Sequence, residues 1–101
     1  MAKRYNRRPS TRNFQDPAYK AWRKKVYSRD NYKCQWPGCN CRKRLYAHHI
    51  QTWAKYPHAR FDVNNGITLC YLHHKQVTGK EEDYVRLFCE LLRNKARRKE
   101  S

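Results

Sequence analysis

A chain of 101 residues with 24 Lys and Arg against 8 Asp and Glu carries a formal charge of +16, and so short a chain supports one domain with a limited core. That charge repels itself on compaction but attracts polyanions, with nucleic acid the first partner to expect and an anionic membrane surface the second. No apolar run approaches the roughly 18 residues of a spanning helix, and no signal-peptide core follows the basic start. A soluble, cytoplasmic protein with no membrane partner is therefore expected.

Residues 1–13 hold Lys3, Arg4, Arg7, Arg8 and Arg12 among Asn, Ser and Thr. With nothing periodic or apolar, they read as a disordered basic arm suited to tracking phosphates. Asp16-Pro17 is a helix start, Asp as cap and Pro in the first turn. Tyr19, Trp22 and Val26 follow at helical spacing, which predicts a helix over 17–29 packed by its aromatic stripe. Asp30-Asn31 ends it. Arg42, Lys43 and Arg44 form a basic turn, and a short strand is expected over 45–50, its alternate residues facing opposite sides. Residues 51–64 show no period and read as a long ordered loop held by aromatics. Asn65-Gly66 signals a turn, 67–69 a second strand, and 70–77 a short helix ended by Thr78-Gly79. The last helix, over 81–99, has acidic residues at its start and basic ones at its end, both favourable to the helix dipole. Within it Cys89 has no Cys or His partner nearby in sequence and reads as a small buried hydrophobe. The expected organisation is a basic arm over 1–13, a folded domain over 14–93 and a basic tail over 94–101.

Five cysteines, an odd number, in a reducing compartment argue for metal rather than disulfides, and a small core makes a structural metal useful. Cys34 and Cys39 flank a Pro-Gly turn, while Cys70 and His73 lie one helical turn apart and share a face. Together they suit a closed Cys3His zinc site. Cys41, two residues beyond Cys39, is the competing ligand.

His48 and His49 are neighbours on a strand and must point to opposite sides. The pair therefore divides its duties: one ring binds a cation, and the other stays available as a base near pH 7. His74, turned about 100° around the helix from His73, faces the strand and supplies a second ligand to that cation. Two imidazoles leave open positions for water and phosphate oxygens. Arg60 is placed to reach a phosphate or to pin its loop, whereas His58 reads as a surface residue.

Cys34 and Cys39, Ala47-His48-His49-Ile50, Asn65-Gly66-Ile67-Thr68-Leu69-Cys70 and His73-His74 together resemble the HNH endonuclease family, the ββα-metal nucleases, over roughly Tyr27 to Val77. The resemblance implies an α+β fold: a small ββα-metal core with a structural zinc knuckle and flanking helices. It implies His48 and His74 as ligands of a catalytic divalent ion, His49 as general base, and Asn65 as the residue that braces the loop and orients His49, with Asn64 the alternative. Products would carry 5′-phosphate and 3′-hydroxyl ends. Two departures stand out: the second knuckle is Cys70-x-x-His73 instead of Cys-x-x-Cys, and Thr78 occupies a position where some members have a further histidine. A loosely held Mg²⁺ or Mn²⁺ is then expected beside the structural Zn²⁺. The expected partner is DNA, engaged by Arg4, Arg7, Arg8, Arg42, Lys43, Arg44 and Arg60, by a monomer or weak dimer. A zinc-binding nucleic-acid module without catalysis, or an RNA nuclease, would fit the same charge.

Overall fold

The computed structural model describes residues 15–100, with side chains through 97; Arg4, Arg7, Arg8 and the rest of the basic arm lie outside the described residues. Helix α1 spans Pro17–Arg29, its first turn capped by the Asp16 carboxylate, which accepts from the Ala18 amide at 2.9 Å. Strand β1 spans Leu45–His49 and β2 spans Gly66–Cys70, paired antiparallel with His48 opposite Ile67 and His49 opposite Gly66. Helix α2, Tyr71–Val77, follows β2 without a linker, and α3 occupies Glu81–Glu100. The result is a small α+β fold of three helices and a two-stranded antiparallel sheet among the described residues. No described helix is long and apolar enough to cross a membrane.

The sheet separates two cores. On one face Tyr19, Trp22 and Val26 of α1 meet Ala47 and Trp53, so the predicted aromatic stripe is buried. On the other face Ile50, Ile67 and Leu69 pack with Val77 of α2 and Phe88 of α3. Because β2 is covered on both faces, all five of its residues are buried, and its sequence is correspondingly apolar. Parity along β1 then decides everything: Ala47 and His49 face α1, whereas Tyr46 and His48 face α2 and α3.

Three sequence expectations need correction. Asn65-Gly66 is not a hairpin turn. Asn65 closes a 3-10 turn over Val63–Asn65, and Gly66 opens β2 with an extended backbone at φ −131°. Glycine is required there by contact: a Cβ would sit 2.6 Å from both the Trp22 ring and Val26. A Gly66→Ala protein is accordingly expected to lose about 1–3 kcal/mol, read as a lower thermal midpoint with altered tryptophan fluorescence. The loop over 51–64 is also less irregular than expected, since Pro57–Ala59 forms a further 3-10 turn. Cys89 is exposed, not buried; it lies about 100° around α3 from Phe88, off the apolar face. Helix α3, Glu81–Glu100, agrees with the helix expected over 81–99 to within a residue.

A buried ion pair ties these layers together. The Asp30 carboxylate, at 0% exposure, receives Arg29 through Nε and Nη2 at 2.9 and 2.8 Å and the Thr68 amide at 2.9 Å. The same guanidinium donates to the carbonyls of Val63 and Gly66 at 2.8 and 2.7 Å. One pair thereby clamps the end of α1 to the 3-10 turn and to β2.

Candidate metal centre and adjoining histidine cleft

The knuckle begins at Cys34, whose amide donates to the Cys41 carbonyl at 2.8 Å, and turns back where the Cys39 amide meets the Trp36 carbonyl at 2.9 Å. Gly38 takes a left-handed backbone at φ +84°, which glycine adopts at no steric cost. Across from it, Cys70 ends β2 as the residue before α2, and His73 lies in the first turn of that helix.

The donor atoms of Cys34, Cys39, Cys70 and His73 all lie within 4.8 Å of one another. His73 Nδ1 stands 3.6 Å from Cys34 Sγ and 3.4 Å from Cys70 Sγ. A tetrahedral zinc ion with ordinary bond lengths sets a sulfur–nitrogen edge of about 3.6 Å. Three thiols and one imidazole at these separations fit a metal ion such as zinc. The competing ligand is excluded by position, since Cys41 is exposed and its Sγ points to the Lys43 carbonyl at 3.6 Å.

Burial pushes the Cys34 thiol up to about 12, and Cys39 beside it adds to the rise. At Cys70 burial acts in the same direction, but the His73 amide, the Cys34 and Cys39 thiols and the Leu72 amide outweigh it, and the net shift is downward. One thiol thus resists ionisation while its neighbour favours it, as expected of a cluster whose buried thiolates need a cation for balance. Trp36 stacks flat on His73, with ring centroids 4.8 Å apart and planes 7° apart.

His48, His49 and His74 line a separate open cleft of about 670 Å³, walled also by Tyr19, Arg23, Tyr46, Trp53 and Thr78. His48 and His49 line it while each is only 4% exposed, with His48 Nε2 and His49 Nδ1 buried. His48 meets His74 edge-to-face with ring centroids 5.8 Å apart. Phe88 abuts His48 at 5.5 Å and Trp36 at 6.3 Å, standing between the cleft and the cysteine cluster.

His49 occupies the opposite face. Its ring lies flat against Trp22, with centroids 3.9 Å apart, and edge-on to Trp53 at 5.5 Å. Its Nε2 is 2.9 Å from the Arg60 carbonyl. A carbonyl only accepts, so Nε2 carries the hydrogen and in the neutral ring Nδ1 holds the lone pair. Asn65 fixes the loop that presents this carbonyl. Its side chain accepts from the Gln51 amide at 2.7 Å and donates to the carbonyls of Gln51 and Ala59 at 3.0 and 3.1 Å. Asn64, by contrast, is exposed.

Arg60 serves its own loop. Nε donates to the Trp53 carbonyl at 2.7 Å and the guanidinium covers the Trp53 ring at 4.4 Å. Arg42, Lys43 and Arg44 are exposed, with Arg42 donating to the Asn31 carbonyl at 2.9 Å. His58 is exposed as well.

The residues that sequence reasoning missed as parts of the site are Trp22, Trp36, Tyr46 and Phe88, the rings that pack on the histidines. Their apolar spacing announced burial or strand position but not which imidazole each would meet. Set against models of known protein families, curated proteins and solved structures, the chain matches none.

Proposed function

We propose that the protein is a metal-dependent endonuclease of the HNH, or ββα-metal, type that hydrolyses DNA phosphodiester bonds. The observation that carries this reading is the separation of two adjacent histidines onto opposite faces of β1 while both still line one cleft. His48 meets His74 on one face. On the other, His49 is held by a backbone carbonyl in a loop that Asn65 braces.

That geometry supports the roles the resemblance implies. His48 and His74 would hold a divalent ion, Mg²⁺ or Mn²⁺, which when bound polarises the phosphate and steadies the leaving oxygen. His49 Nδ1 takes a proton from the attacking water, and the Nε2–H bond to Arg60 keeps the ring aimed as it becomes cationic. The water oxygen bonds to phosphorus, the bond from phosphorus to the 3′-oxygen breaks, and that oxygen takes a proton from a solvent water while His49 returns its own to solvent, giving 5′-phosphate and 3′-hydroxyl ends. Arg42, Lys43 and Arg44 supply phosphate contacts that position the strand without reading sequence. The Cys3His cluster, if loaded with zinc, would tie the Cys34–Cys39 knuckle to β2 and α2.

A plasmid-nicking assay with added Mg²⁺ or Mn²⁺ tests the reading. The wild type is expected to nick, and His49→Ala to lose roughly 10²–10⁴-fold in rate with DNA affinity unchanged. A wild type that binds DNA but never cuts would overturn the proposal in favour of a zinc-stapled binding module.

A further inference from the structure

Four flat groups run outward from the mouth of the cleft. His74 is stacked by Tyr46, with centroids 4.6 Å apart and planes 4° apart. Tyr46 in turn meets Tyr71 at 6.4 Å, and the Arg44 guanidinium lies 4.0 Å over the Tyr71 ring. Both tyrosines are 38% exposed, whereas Tyr19, on the cleft wall, is buried. Arg44 reaches its position from a left-handed backbone at φ +54°, a conformation that a non-glycine residue holds only where its surroundings impose it. Lys75 and Arg23 add positive charge at the rim, 5.9 Å over Tyr71 and 5.5 Å over Tyr19.

Exposed rings interleaved with guanidinium and ammonium groups, on a chain of charge +16, are complementary to a polyanion that carries flat faces. Duplex DNA offers few such faces, because its bases are already stacked on one another. A single strand offers one per nucleotide, and base–aromatic stacking tolerates any sequence. We infer that Tyr46 and Tyr71 form a stacking ledge for the bases of single-stranded DNA, with the strand's backbone led by Arg44 into the histidine cleft. The inference deepens the nuclease reading, on which it rests only for the cut itself: the strand to be cut lies unpaired beside the scissile phosphate.

Binding tests it without cleavage. The zinc-loaded full-length protein, with no Mg²⁺ or Mn²⁺ added, is titrated into a fluorescein-labelled single strand and into its duplex, and anisotropy is read. Tyr46→Ala is expected to weaken single-strand binding about tenfold and duplex binding less than about twofold, with Tyr46→Phe close to wild type. Equal losses on both substrates, or no loss on the single strand, would overturn the ledge. Should Tyr46→Ala lose its thermal transition, Tyr71→Ala and the wild type's quenching of a 2-aminopurine base in the strand decide instead; an unquenched base overturns the proposal. A protein that passes these tests yet, with Mg²⁺ or Mn²⁺ added, cuts neither a plasmid nor the single strand keeps the ledge and loses the nuclease. One that nicks but shows no preference for the single strand does the reverse.

Discussion

Cys70→Ser is expected to leave the chain without a cooperative thermal transition and without stoichiometric zinc. Cys70 has three neighbours to satisfy at once: it pairs with Leu45 at the end of β2, precedes the first turn of α2 and contributes a sulfur to the cluster. Serine keeps the first two roles and loses the third. Zinc held by such a cluster would contribute its binding free energy to folding, on the order of 10 kcal/mol or more for small structural sites, whereas a domain of this size retains only a few kcal/mol of net stability. Removing one ligand therefore removes more than the fold has in reserve. The measurement is metal content by atomic absorption alongside near-ultraviolet circular dichroism on heating. A Cys70→Ser protein that melts normally with its zinc intact would show that the staple lies elsewhere.

Asp30→Ala comes next in size. The substitution deletes both carboxylate contacts to Arg29 and leaves the buried Thr68 amide without its acceptor. Breaking a buried pair by removing one partner costs about 3–5 kcal/mol. The lower end is expected here, because Arg29 keeps its bonds to the Val63 and Gly66 carbonyls and is partly open to water. About 3 kcal/mol in a domain this small lowers the thermal midpoint by roughly 12–24 °C. Because the clamp sits where α1 meets β2, the stack of Trp22 on His49 should loosen with it. A zinc-loaded Asp30→Ala protein melting within a few degrees of wild type would place the clamp outside the cooperative core.

Asp30 also marks where sequence reading stops. An aspartate after a basic amphipathic stretch reads as a helix terminator, which it is, for it caps α1. Nothing local says that its carboxylate turns inward, because its second partner is an amide 38 residues away. Gly66 misleads in the same way: Asn-Gly is a turn signal, yet the glycine is there to admit Trp22. The helices were legible because their signals are local, such as the Asp16-Pro17 start, the Tyr19/Trp22/Val26 stripe and the acidic opening of α3. The four-residue cluster was legible because pairs of ligands at short spacing leave few geometries. The Pro37-Gly38 turn already favours Cys39 over Cys41, and the structure adds the reason: Cys41 is spent on pairing its carbonyl with Cys34 and its side chain swings outward. The stacking of Tyr46 on His74 and of Trp36 on His73 joins residues far apart in the chain, and no periodicity encodes such pairs.

The alternation of β1 also limits how this protein can vary. Inserting or deleting one residue between Tyr46 and His49 would rotate the remainder of the strand by half a turn. It would swing the imidazole that now rests on Trp22 around to His74 and send its neighbour the other way. No compensating change of side chain mends that exchange, since the two walls differ in shape and in what they offer an imidazole. Tolerated changes in length should therefore fall outside the five paired positions, in the stretch between Gln51 and Asp62 away from Asn65's anchors, where added residues alter the mouth of the cleft and leave its two histidine faces as they are.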